Sequence, residues 1–126
     1  MNDKPVKRLP MLPLRGLTIF PYMVLHFDVG RKKSILALEE AMIADQKIFL
    51  TAQKEAKIEE PEEEDIFKTG TICNIKQILK LPGDTVRVLV EGETRAVLKE
   101  FISKDPFFKV EVEILEDEEE CNDNKN

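Results

Sequence analysis

Few residues in this chain of 126 could do covalent chemistry, and they are spaced too widely to do it together. The two cysteines, Cys73 and Cys121, lie 48 positions apart, and the single histidine is His26. Structural zinc needs four such ligands at close spacing, so Cys and His cannot supply a zinc site. Small disulfide-stapled secreted domains are far richer in cysteine. A Ser-His-Asp hydrolase needs a partnered histidine, and no GxSxG elbow is present. No GxxxxGK[ST] run occurs to cradle a phosphate. The expectation is a chain with no catalytic residue, no metal and no cofactor of its own.

Two groups are better suited to binding. Arg31-Lys32-Lys33 stands where a helix is expected to start. Cations there oppose the helix macrodipole by several tenths of a kcal/mol each, and a broken local rule can mark function. An anion or an acidic peptide could sit against these three residues, whereas long side chains turned to solvent are the simpler explanation. The second group is Phe20-Pro21-Tyr22-Met23. Core packing accounts for most such clusters, but Tyr22 tolerates water through its hydroxyl. Exposed apolar groups near a sheet edge can hold an extended polypeptide.

Charge is strongly partitioned. The net of −6 resides in Glu59–Asp65, itself −6, and in Glu116–Asn126, at −5. Residues 1–58 carry +4 and residues 66–115 carry +1. Acidic runs repel themselves and stay solvated, so the first reads as an exposed loop and the second as a tail or linker. Neither has the carboxylate and glycine spacing of an EF-hand. Nucleic acid is not favoured, since the chain has no Trp, one Tyr and an overall acidic balance. No apolar run approaches the ~20 residues that span a bilayer. The start lacks an apolar signal region. A cytoplasmic location is the expectation, with no membrane partner.

These groups must be positioned by a mainly β chain. Leu9–Arg15 is apolar but holds Pro10 and Pro13, which predicts a sheet edge. Such an edge would invite pairing between copies. Met23–Val29 alternates, with Met23, Leu25, Phe27 and Val29 on one face. Arg31–Ala44 fits a helix around Ile35, Leu38 and Met42. Lys47–Lys54 reads as a strand, and Asp65–Thr69 as a turn that sends Ile66 and Phe67 into the core. In Thr71–Leu81 the period of two puts Cys73, Ile75, Leu79 and Leu81 together. Pro82-Gly83-Asp84 is a turn, and Gly92 a bulge or bend between strands at 86–91 and 95–102. Phe108–Ile114 alternates again. The class is α+β, mainly β: a curled sheet or pseudo-barrel of about six or seven strands with one main helix.

Five segments in order carry a resemblance. They are Leu9-Pro-Met-Leu-Pro-Leu-Arg-Gly-Leu-Thr-Ile-Phe-Pro-Tyr-Met-Val24, Asp28-Val-Gly-Arg-Lys-Lys-Ser-Ile35, Thr51-Ala-Gln-Lys-Glu55, Gly70-Thr-Ile-Cys-Asn-Ile-Lys-Gln-Ile-Leu-Lys-Leu-Pro82 and Val88-Leu-Val-Glu-Gly-Glu-Thr-Arg95. Together they resemble the N-terminal domain of the Lon protease family over about residues 9–116. The family often has glycine where Tyr22 stands, and its loop is less charged than residues 59–65. The resemblance implies a PUA-like sheet over residues 1–116, with 117–126 opening a linker to absent domains. It implies a longer parent: an ATP-dependent serine protease with an AAA+ module, using ATP and Mg, whose hexameric ring this domain helps to assemble. The domain would recognise unfolded or misfolded protein substrates and associate with other copies. Leu14, Phe20, Tyr22 and Met23 are the substrate-contact candidates. The alternative is a stand-alone domain of the same type, acting as a protein-binding adaptor.

Overall fold

A computed structural model describes residues 6–15, 19–58 and 61–115. The expectations for Gly16, Glu59, Glu60, Cys121 and the acidic tail with its boundary at 116–117 lie outside the described residues. The elements run β1 (Val6–Leu14), β2 (Val24–Val29), α1 (Lys32–Ile43), β3 (Lys47–Ala52), β4 (Thr69–Lys80), β5 (Val86–Ser103) and β6 (Lys109–Ile114), with a short 3₁₀ turn at Glu63–Asp65. The strands form one sheet in the order β2-β5-β4-β3-β1-β6, and β6 also pairs with β5. Five strands thus close into a barrel, while β2 is appended to β5. The expected mainly β class with one helix is what the chain adopts. Among the described residues the strands number six because β5 runs unbroken through Gly92, where two strands were expected.

β1 corrects the sequence reading. It lies inside the sheet, antiparallel to β6 over Val6–Pro10 and parallel to β3 over Met11–Leu14. Its partners change between residues 10 and 11, and that change accommodates both prolines. Amide N–H groups alternate sides along a strand, and that of Met11 bonds Phe108 O, towards β6, at 2.9 Å. By this alternation the Pro13 nitrogen also faces the β6 side, beyond the last β6 pairing. The Pro10 nitrogen faces the β3 side, before the first β3 pairing. Neither proline removes a ladder bond, so the penalty that normally confines proline to edges does not arise. The edge carrying no pairing among the described residues is instead that of β2.

Burial explains the apolar run in β1. All six residues from Leu9 to Leu14 are buried, because the sheet is covered on both faces here. Leu12 and Leu14 join Ile48, Leu50, Cys73, Ile75 and the α1 residues Ala37, Leu38 and Ala41 in one core. Leu9 and Met11 join Phe49, Ile72, Leu98, Val110 and Val112 in a second core. The buried stripe of α1 is Ser34, Ala37, Leu38 and Ala41. Its small residues let the helix lie close over β1 and β3, while Ile35 and Met42 are half-buried at its margins.

Two bulges set which side chains face inward. Between Ile75 and Gln77 the register on β5 slips by one residue. Beyond the slip Ile78 packs on the core, and Leu79, expected inside, is 47% exposed. A second slip at Ile72/Cys73 pairs Cys73 with Gly92, so Gly92 does mark a bulge. A Cβ on Gly92 would stand 2.4 Å from Phe20 O, which only glycine avoids. Gly92→Ala should therefore lower stability by about 2–3 kcal/mol, through forced displacement of backbone. Thermal unfolding checks this, with an expected fall in Tm of roughly 6–15 °C; an unchanged Tm would show that the turn yields freely.

Candidate functional site

Gly92 also builds the candidate polypeptide site. The Tyr22 N–H bonds Gly92 O, and the Gly92 N–H bonds Met23 O, each at 2.8 Å. These bonds clamp Phe20–Met23 to the β5 bulge. Met23 N–H closes the turn onto Phe20 O at 3.1 Å. Proline at its second position and a left-handed residue at its third match a type II turn. That third residue is Tyr22, at φ 72°. Glycine is the ordinary occupant of this conformation, which accounts for the departure at Tyr22 noted above. The tyrosine is 84% exposed, so burial returns little for the strain.

Phe20, Met23 and Val24 are exposed beside it. A groove of about 270 Å³ continues from Phe20 over Leu14, Ile19, Phe67, Lys68 and Arg95. Of the expected contacts, Phe20, Tyr22 and Met23 are thus at the surface. Leu14 is 4% exposed and forms part of the groove floor and the core. The groove wall is fixed from below: the Thr71 hydroxyl donates to Ile19 O at 2.7 Å, and the Thr51 hydroxyl lies 2.9 Å from Phe67 O.

Phe67 was expected in the core and is instead 49% exposed. The segment around it is extended, held by Phe67 N–H to Ala52 O at 3.0 Å and by a bridge between Gln53 and Ile66. Neighbours on an extended backbone face opposite sides. Ile66 takes the core, so Phe67 must leave it. That period-of-two rule was available in the sequence and would have found this residue.

Arg31, Lys32 and Lys33 sit apart from the groove. They line a cleft of about 670 Å³ together with Arg15, Ser34 and Asp105, walled by Phe108 and three prolines. Arg31 Nη2 donates to Ile58 O at 3.2 Å, and Arg15 Nε to Ala56 O at 2.8 Å. Lys33 Nζ stands 4.6 Å from the Phe108 ring centre. Arg15 and Ser34 escaped the sequence reading. Arg15 is far off in sequence, and Ser34 sits on the buried stripe of the helix.

The other reactive side chains lie away from both the groove and the cleft. His26 is exposed on β2. Cys73 is fully buried, and desolvation, aided by the Glu93 charge, pushes its thiol up to about 12. Asp28 is held below its ordinary range chiefly by its hydrogen bond from Arg87, at 2.8 Å. No helix among the described residues is long and apolar enough to cross a membrane.

The barrel thus presents, among the described residues, a clamped apolar turn, an aromatic groove and a strand edge that carries no pairing. Comparison with known proteins gives the family. Residues 8–126 match the family described as "ATP-dependent protease La (LON) substrate-binding domain", and the chain belongs to that family. It is 61% identical over 113 residues to Lon protease of Clostridium acetobutylicum, covering 90% of this chain and 14% of that protein. Against Lon protease 1 of Bacillus subtilis the identity is 45% over 119 residues, covering 94% and 15%. The chain thus spans about one seventh of the length of these relatives. Its fold matches the N-terminal domain of a Mycobacterium avium complex Lon protease at TM-score 0.68 and 21% identity, covering 90% of this chain and 56% of that one. A Lon N-terminal domain protein from Xanthomonas campestris matches at 0.66 and 14%, covering 87% and 60%.

Two outcomes follow from the site. Tyr22→Gly should hold or raise stability by up to about 1 kcal/mol, since relief of the left-handed strain slightly exceeds the extra freedom of the unfolded chain. A clear fall in denaturant midpoint would instead give the ring a packing role. For Cys73, the native state keeps its proton to about 12, while the unfolded thiol loses its own from 9.0. Its contribution is full below pH 9.0 and is lost as pH rises from there towards 12. In a Cys121→Ser background, iodoacetamide at pH 8 should label Cys73 only at the rate of unfolding; rapid native labelling would contradict its burial.

Proposed function

We propose that this domain captures unfolded or misfolded polypeptide for an ATP-dependent serine protease of which it is one part. The observation that carries this is Tyr22: an aromatic side chain presented to solvent on a strained turn, beside exposed Phe20 and Met23. Strain kept without burial points to a role outside folding. The groove with Phe67 and the floor residue Leu14 extends the same surface, and the edge of β2 that carries no pairing among the described residues offers hydrogen bonds to an extended chain. A turn and a shallow groove give modest affinity, which suits capture of many sequences.

The parent protein is part of the same proposal. Its support is the shared name of the relatives and the small share of their length spanned here. We place ATP, Mg and the serine chemistry in segments beyond this domain, and the whole in the cytoplasm as a hexameric ring. Residues up to 116 would be the domain proper and 117–126 the way to the next segment. Contacts between copies would use β2, because β1 has partners on both sides.

The test is binding of the 126-residue chain to fluorescently labelled casein, a permanently unfolded probe. Tyr22→Ala and Phe67→Ala should each weaken binding about fivefold, as expected for a hot-spot aromatic, with Tm unchanged. Casein binding that survives the double substitution, or that falls only in step with Tm, would remove this surface from the function.

A further inference from the structure

The groove beside Phe20 is apolar within and positive at its rim. Leu14, Ile19 and Leu50 are its buried part, and Phe20 and Phe67 are exposed beside them. Its charged lining residues among those described are Lys68 and Arg95, with no carboxylate. Arg95 pairs with Thr71 across the β4–β5 ladder, and such cross-strand partners share a face. The Thr71 hydroxyl donates to Ile19 O, so Arg95 is placed beside the segment that leads into the Phe20–Met23 turn. Lys54 adds charge at Phe67, its Nζ 6.0 Å from the ring centre.

The rim is not neutralised by the domain's own acids. Among the described residues neither Lys68 nor Arg95 makes an ion pair, and the nearest acids along β5 are engaged elsewhere: Glu93 with Lys47 at 2.6 Å and Glu91 with Lys76 at 3.2 Å. A segment lying in the groove displaces water from this rim. Were that segment apolar throughout, Lys68 and Arg95 would lose solvent and gain no partner, which is costly. A carboxylate carried close to the apolar side chain offsets that cost, and a charge-assisted bond is strengthened by apolar surroundings.

We propose that the groove selects polypeptide segments in which aromatic or aliphatic side chains are interleaved with Asp or Glu, the apolar groups entering between Phe20 and Phe67 and the carboxylates meeting Arg95 and Lys68. This rests on the reading of the same groove as a capture surface and adds which sequences it favours. Arg95 lies on β5, Lys68 just before β4 and Lys54 just after β3. A rim spread over three segments is met by several side-chain carboxylates along an extended chain, where a chain end would bring only one.

The experiment is fluorescence anisotropy of the 126-residue chain with three labelled peptides, blocked at both ends, that share one aromatic-centred core and carry Asp, Asn or Lys around it. At low salt the Asp peptide should bind about fivefold more tightly than its Asn isostere, as for one or two rim charge pairs, and the Lys peptide more weakly than either. The preference should shrink at about 1 M salt, where charges are screened beyond about 3 Å. Arg95→Gln should reduce it to about twofold. Lys80→Gln, the same loss of charge at the opposite end of β4, should leave it in place. Equal binding of the Asp and Asn peptides, a preference that survives Arg95→Gln, or one that falls as far in Lys80→Gln would overturn the selection. Capture has its own readout in the same assay, since Phe67→Ala should weaken all three peptides. If it does so while the flanks make no difference, capture stands and the selection falls; if no peptide binds, or Phe67→Ala moves none of them, both fall.

Discussion

The parallel pairing of β1 with β3 is the constraint on which the rest of this domain depends. Parallel neighbours cannot be joined by a tight turn, so the chain must cross over between them, and here it does so through β2 and α1. The crossover lays the helix across one face of the pair. Closure of the barrel covers the other. With both faces dry, Leu9–Leu14 and Ile48–Thr51 are buried without alternation, and two cores form on opposite sides of one sheet. Each fully buried large aliphatic or aromatic side chain there is worth about 1.5–3 kcal/mol. The exposed ion pairs, such as Lys7–Asp45 and Lys47–Glu93, are worth far less apiece.

The proposed binding surface is built where the regular ladder is interrupted. The bulge at Gly92 lets the backbone of Phe20 come within reach, and reciprocal bonds then hold the Phe20–Met23 turn against β5. An apolar turn pinned in this way can stay at the surface without collapsing into the core. The same crossover brings the start of α1 beside Arg15 and the β5–β6 connection. One topological requirement thereby creates both the aromatic surface and the basic cleft.

Segregation of charge serves this division. The acidic residues at 62–64 are exposed, and Glu63 engages Lys104 at 2.7 Å, raising the lysine above its ordinary range. The apolar groove borders on Lys68 and Arg95 rather than on carboxylates. The cleft keeps its cations, with Arg31 and Arg15 tied to loop carbonyls. A chain of net negative charge thus presents two positively edged surfaces.

The sequence by itself determined the elements whose signals are local. Alternation in β2 and β6, helical spacing from 32 to 43, the turn at Pro82-Gly83 and the glycine at 92 are all written in neighbouring residues, as is the surface placement of Tyr22. Five ordered segments were enough to indicate the family. Tertiary structure alone decided the matters that depend on partners distant in the chain. Proline signals an edge only if its missing N–H would have had a partner, and the exchange of β6 for β3 along β1 removes that condition at both prolines. A bulge moves every later side chain to the opposite face, so Ile78 went in and Leu79 came out. The same long-range packing set Ser34 and Arg15 at one cleft, since what faces a helix end is settled by which strands the helix crosses.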